Sequence, residues 1–138
     1  MSRIHYPIDV QPYDRAKHGA TVLSWPSIAT GETAPPALMP PVGVVGIDGE
    51  GPCCACWLHL SMNVGVCMAD NPVTRPDLTP DQAEAAALLM LEALKHVALA
   101  HDYGVMTIRA GAAFAAVLQR GGFHIQERPL FTGTILLR

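Results

Sequence analysis

The segment from Thr79 to Gly104 constrains this chain more than any other. Thr79-Pro80-Asp81-Gln82 places a hydroxyl at an N-cap, proline at the first helical position, a carboxylate near the positive helix end and glutamine where a capping box needs it. The spacing predicts a helix over 80–103, with Gly104 as a left-handed stop. Its polar residues Glu84, Glu92, Lys95 and His96 form a narrow stripe, while Ala, Leu, Met and Val cover the other faces. Most of its circumference is therefore expected to be buried, which requires a sheet to pack on.

The flanking segments supply strands. Val42–Asp48, the turn Gly49-Glu50-Gly51-Pro52 and the run Cys53–Met62 read as a hairpin, and Val64–Ala69 as a third strand or a continuation of the second past a bend at Ser61-Met62-Asn63. Asn71–Leu78 reads as a loop because Pro72 and Pro76 block helix. After the long helix come a strand Val105–Arg109, a short helix Ala112–Arg120 stopped by Gly121-Gly122, and a closing pair of strands over Phe123–Arg138. Seven of the twelve prolines precede residue 42, which leaves that segment extended pieces and turns, with Gly19–Trp25 its best strand. The expectation is a single α/β domain over 1–138, with a proline-rich N-terminal arm (1–41) and a sheet-helix core (42–138). Its mixed, mostly antiparallel sheet carries a long crossover helix and a short C-terminal helix.

Composition narrows the function classes. With 50% hydrophobic and 15% charged residues in 138, the chain can offset its ordering entropy with one core. A net charge of -3 offers no basic footprint for phosphates, which disfavours general nucleic-acid binding. The longest apolar run, Ala85–Leu91, is far short of the roughly 20 residues that span a bilayer, and Met1–His5 lacks a signal core. A cytoplasmic protein without membrane association is expected. Cys53, Cys54, Cys56 and Cys67 read as reduced, metal-free thiols, since strand alternation separates them where zinc sites want knuckle spacing. Few charges and an apolar sheet point to a homodimer.

Residues 53–138 resemble the GNAT acetyltransferase superfamily. The resemblance rests on a strand ending near Asp70, a long helix closing in His101-Asp102-Tyr103-Gly104, the strand Val105–Arg109 and the short helix that ends in Gly121-Gly122-Phe123. Asn71-Pro72 ahead of the long helix is similar to divergent, phage-type members. The resemblance implies acyl transfer, acetyl foremost, from acetyl-CoA to a small-molecule or macromolecular amine. It implies that the backbone at Val66 and Met68 orients pantetheine and that the helix start, with Arg75, Thr79 and Gln82, receives pyrophosphate. His59 is the candidate base, Asp70 the group that orders a water, and Tyr103 a candidate acid. Two positions depart from the pattern: Arg75–Gln82 contains no glycine, and Leu118 stands where many members have tyrosine. The alternative is a catalytically degenerate binding or inhibitory protein, in which Thr79 and Gln82 only cap the helix and His59 is structural.

Overall fold

Five strands lie side by side in chain order: β1 (Asp9–Pro12), β2 (Gly43–Asp48), β3 (Gly51–Leu60), β4 (Val66–Thr74) and β5 (Val105–Ile108). The structure is a computed structural model and describes residues 7–62 and 65–126. Neighbours are antiparallel from β1 to β4, and β5 is parallel to β4. Parallel neighbours need a crossover, and the long helix α2 (Pro80–Ala100) provides it. Two further helices, α1 (Arg15–Val22) and α3 (Ala112–Arg120), and one 3-10 turn at Pro36–Leu38 complete the described elements.

The sheet is covered on both faces. On one, Cys54, Cys56, Leu58, Cys67 and Ala69 pack against Met90, Leu91 and Leu94 of α2 and Phe114, Val117 and Leu118 of α3. On the other, Val22, Leu23 and Trp25 join Tyr13, Val45, Ala55, Trp57 and Val73. Tyr13 meets Trp57 edge to face with ring centroids 5.2 Å apart. Residues 7–41 are thus built into the domain as an edge strand, a helix and the cover of one sheet face.

Several expectations are corrected by local chemistry. Residues 19–22 of the expected strand Gly19–Trp25 are the end of α1, because Asp14 caps that helix by accepting hydrogen bonds from the amides of Ala16 and Lys17. Eight residues fit between Pro12 and Pro26 without placing proline inside the helix. α2 ends at Ala100, and Asp102 (φ 63°), not Gly104, takes the left-handed position. Tyr103 N–H then reaches Ala98 O at 3.0 Å and Asp102 N–H reaches Leu99 O at 3.0 Å, a Schellman closure. Leu89 and Leu99 of α2 are exposed, since a helix lying on one sheet face buries one side. β3 and β4 are separate antiparallel strands, and β4 runs on through Asn71-Pro72, where a loop was expected. The closing strands expected over 123–138 fall largely outside the described residues, and 123–126 are irregular.

Two bulges shape the sheet. Cys53 is the extra residue opposite Gly46/Ile47, which brings the sulfurs of Cys53 and Cys54 to 3.7 Å. Gly46 faces that crowding: a Cβ there would lie 2.5 Å from Cys54 Sγ. In β4, Asn71 and Pro72 together oppose the single residue Cys56. Asn71 takes φ 54°, a conformation that asparagine tolerates and β-branched residues do not. Pro72 has no amide to lose, and its carbonyl accepts from Ile28 N–H at 2.9 Å.

Two predictions follow from these strands. Asn71→Gly is expected to hold stability within about 1 kcal/mol, and Asn71→Val to cost about 2 kcal/mol, by urea denaturation. Burial pushes the Cys56 thiol from its ordinary 9.0 up to about 12. The folded state therefore keeps its proton where the unfolded chain releases it. The contribution is full below pH about 9 and is lost as pH rises toward about 12, with a slope near 1.4 kcal/mol per pH unit from this group. Alkaline denaturation of wild type against Cys56→Ala measures it: the slope difference should vanish below pH about 9.

Candidate functional site

His59 and Asp70 stand on the α1 face of the sheet. Strand alternation sets His59 on the side of Trp57, and Asp70 is the direct cross-strand partner of Trp57. Their side chains meet at 2.9 Å, His59 Nε2 to Asp70 Oδ2, and are 33% and 44% exposed, so the pair is both organised and reachable. An ionised carboxylate only accepts, so Nε2 donates and Nδ1 carries the lone pair. Asp70 lies immediately after Ala69↔Ile108, the last pair between β4 and β5. The pair therefore sits at the point where the two parallel strands part.

Tyr103 is placed elsewhere. It packs against the core on the α2 side, and its hydroxyl donates to the carbonyl of Ser61 in the β3–β4 connection. Leu118 is buried in the core on α3.

Beyond Ala69, β4 continues to Thr74 while β5 stops at Ile108. Val66 and Met68 lie below that divergence, in the paired stretch opposite Val105 and Thr107. The β4 edge that β5 leaves is the one above Asp70. Residues 27–29 occupy it: Ser27 bridges Val73 in antiparallel sense and Ile28 N–H bonds Pro72 O. β3 already holds the opposite edge at Val73 and Thr74, so the segment takes the column that β5 vacates. Its far side is closed by Gly111 N–H, which donates to Ala29 O at 2.9 Å. Beside this stretch, Asn71 Nδ2 is buried and has no hydrogen-bond partner among the described residues.

The start of α2 is equally engaged. Thr79 Oγ1 accepts from Gln82 N–H at 3.3 Å and Gln82 Oε1 accepts from Thr79 N–H at 3.0 Å, a complete capping box. Arg75 grips Asp48 through two bonds, Nη1–Oδ1 at 3.2 Å and Nη2–Oδ2 at 3.0 Å, and its Nε donates to Asp77 at 3.2 Å. Glu50 adds a carboxylate at 3.8 Å. The Asp48 carboxylate, which accepts both bonds of the Arg75 fork, is fully buried, and it holds the guanidinium even more firmly protonated than usual. An anion approaching here meets three carboxylates and a cation already shared among them. As folded, neither the helix start nor the β4 edge fits coenzyme A.

Among the described residues no group of three or more His, Cys, Asp or Glu is placed to hold a metal ion, and no helix is long and apolar enough to cross a membrane. Sequence reasoning singled out His59 and Asp70, which the fold brings together, and the capping box. It missed α1, whose signal was Asp14 at an N-cap, and residues 27–29, whose pairing leaves no trace in residue type.

No family model and no curated protein matches the sequence. Solved structures do match. An aminoglycoside acetyltransferase from an uncultured soil metagenomic sample superposes with TM-score 0.63 at 14% identity, over 94% of this chain and 99% of that one. An acetyltransferase of Trypanosoma brucei gives 0.62 at 10% identity, over 93% and 100%. The fold is that of the GNAT acetyltransferases. Glucosamine-6-phosphate N-acetyltransferase of Arabidopsis thaliana gives 0.53 at 7% identity, and the match spans 67% of this chain and 65% of that one. In this GNAT fold the parting of β4 and β5, the bulge at Asn71 and the long crossover helix are all present.

The Arg75 cluster yields a prediction. Asp48→Asn, which uncouples a buried charge pair, should cost about 3 kcal/mol in urea denaturation. Glu50→Gln, at the exposed rim of the same cluster, should cost less than about 1 kcal/mol.

Proposed function

We propose that this chain transfers an acyl group, acetyl in the simplest case, from a coenzyme A thioester to an amine. The acceptor amine belongs to a small molecule or a macromolecule. The observation that carries the reading is the His59–Asp70 pair, 2.9 Å apart, at the parting of two parallel strands in a GNAT fold.

The chemistry of the pair follows from its hydrogen bond. An amine of lysine type is protonated near neutral pH and must lose a proton before it can attack a carbonyl carbon. His59 Nδ1 accepts that proton, and Asp70, bonded to Nε2, holds the ring in orientation and stabilises the imidazolium that forms. As the C–N bond forms the thioester C–S bond breaks, and the coenzyme A thiolate leaves unassisted or takes a proton from water, because Leu118 cannot donate and the Tyr103 hydroxyl is committed to Ser61.

A second reading has its own support. The complete capping box, the Asp48–Arg75 fork and the covered β4 edge together suit a protein that keeps the fold and binds a partner without using coenzyme A. Titration with acetyl-CoA separates the two: absence of both heat and a melting shift at millimolar ligand would replace the enzyme with the binding protein.

With an amine acceptor in hand, His59→Gln should lower kcat about 100-fold and abolish the rising limb of the pH–rate profile. Asp70→Asn should lower kcat about 10-fold and shift that limb, and wild type should reach a plateau with no alkaline fall. A Tyr103→Phe variant that alters the alkaline side would show that the acid comes from the helix end.

A further inference from the structure

We infer that residues 27–29 are a built-in occupant of the acyl-donor cleft, and that a coenzyme A thioester binds only when this segment leaves the β4 edge. The inference rests on the acyl-transfer reading and concerns how its site is regulated.

A strand edge of this kind takes an extended partner bearing amides. Pantetheine is one, with two amide groups along a flexible arm, and Ser27-Ile28-Ala29 is another. The segment bridges Val73 through Ser27, gives its Ile28 amide to the Pro72 carbonyl and receives the Gly111 amide at the Ala29 carbonyl. It spans the gap from β4 to the start of α3, so both sides of the cleft are bonded to the same tripeptide. Ser27 and Ala29 are buried, and Ser27 Oγ accepts from Ala29 N–H at 3.1 Å, which fixes the segment's own shape.

The segment is also built to detach as a unit. It is a closed turn, tied to itself by Ser27 N–H to Glu32 O at 2.8 Å and Gly31 N–H to Ser27 O at 2.7 Å, with Gly31 at φ 77°. Those bonds do not depend on β4. Behind it the chain runs through Pro35, Pro36, Pro40 and Pro41 before rejoining the sheet at Gly43. Detachment breaks the two bonds to Pro72 and Gly111 and the bridge to Val73 and withdraws Ile28 and Ala29 from the α2-side core, and it leaves the turn intact. It uncovers the backbone groups of Pro72 and Gly111 that a thioester's amides would take over. The apparent affinity for acetyl-CoA is then reduced by the fraction of molecules in which the edge is open.

Gly111→Pro tests this on the full chain. Gly111 has φ -68°, already within proline's range, and as N-cap of α3 its amide makes no helical bond. The substitution removes the donor to Ala29 O and puts ring carbon where the N–H pointed. Acetyl-CoA binding is measured by calorimetry, and exchange of the Ile28 amide by NMR with and without millimolar acetyl-CoA. The expected result is binding at least about 10-fold tighter in Gly111→Pro, and in wild type faster exchange at Ile28 on adding acetyl-CoA, the reverse of ordinary ligand protection. Ile28→Pro, which removes the bond to Pro72, gives the same gain if Gly111→Pro does not fold. Wild type that binds acetyl-CoA with Ile28 equally protected, or an opened and folded variant that binds no tighter than wild type, overturns the gate and leaves acyl transfer standing. Failure of wild type and of a folded opened variant alike to bind acetyl-CoA overturns both.

Discussion

A strand that loses its neighbour must give its amide and carbonyl groups to something else, and the upper half of β4 is such a strand. β5 accompanies it only from Val66 to Ala69. Above that point an unpaired buried backbone group would carry the full cost of its desolvation. The rest of the site is arranged around how this debt is met. A bulge at Asn71-Pro72 turns the backbone, proline removes one donor that would need a partner, and Ser27-Ile28 supplies the bond to the Pro72 carbonyl and a bridge at Val73. Beside it the side-chain Nδ2 of Asn71 is buried without a hydrogen-bond partner among the described residues.

The same accounting governs the start of α2. A helix N-terminus exposes amides and a partial positive charge, which is why such ends receive anions. Here Thr79 and Gln82 satisfy two of those amides reciprocally, and Asp81 answers the dipole. Arg75 is held by a buried carboxylate and two exposed ones, so its charge is offset before any ligand arrives. Local capping and ion pairing stabilise the fold and use the groups that an incoming anion would need unspent. The His59–Asp70 pair is different in kind. It is partly exposed, and its bond engages one imidazole nitrogen and leaves the other outside the pair.

The sequence by itself determined the elements whose signals are local. The capping box at Thr79, the stop at Gly121-Gly122 and the alternation that puts Cys56 and His59 on opposite faces of β3 depend on neighbours a few residues away. α1 was legible in principle through Asp14, but proline density argued for extended chain and β-branched Val22 for a strand. Only the tertiary structure decided three things. It carried β4 through Asn71-Pro72, because a bulge needs an opposing strand to be a bulge at all. It spent Arg75 on Asp48, a residue 27 positions earlier that meets it only after β2 and β4 flank β3. And it set Ser27–Ala29 against β4, a pairing of bare backbone groups between distant segments. Backbone hydrogen bonds are the same for every residue but proline, so no side-chain pattern announces which strand edge a segment will find.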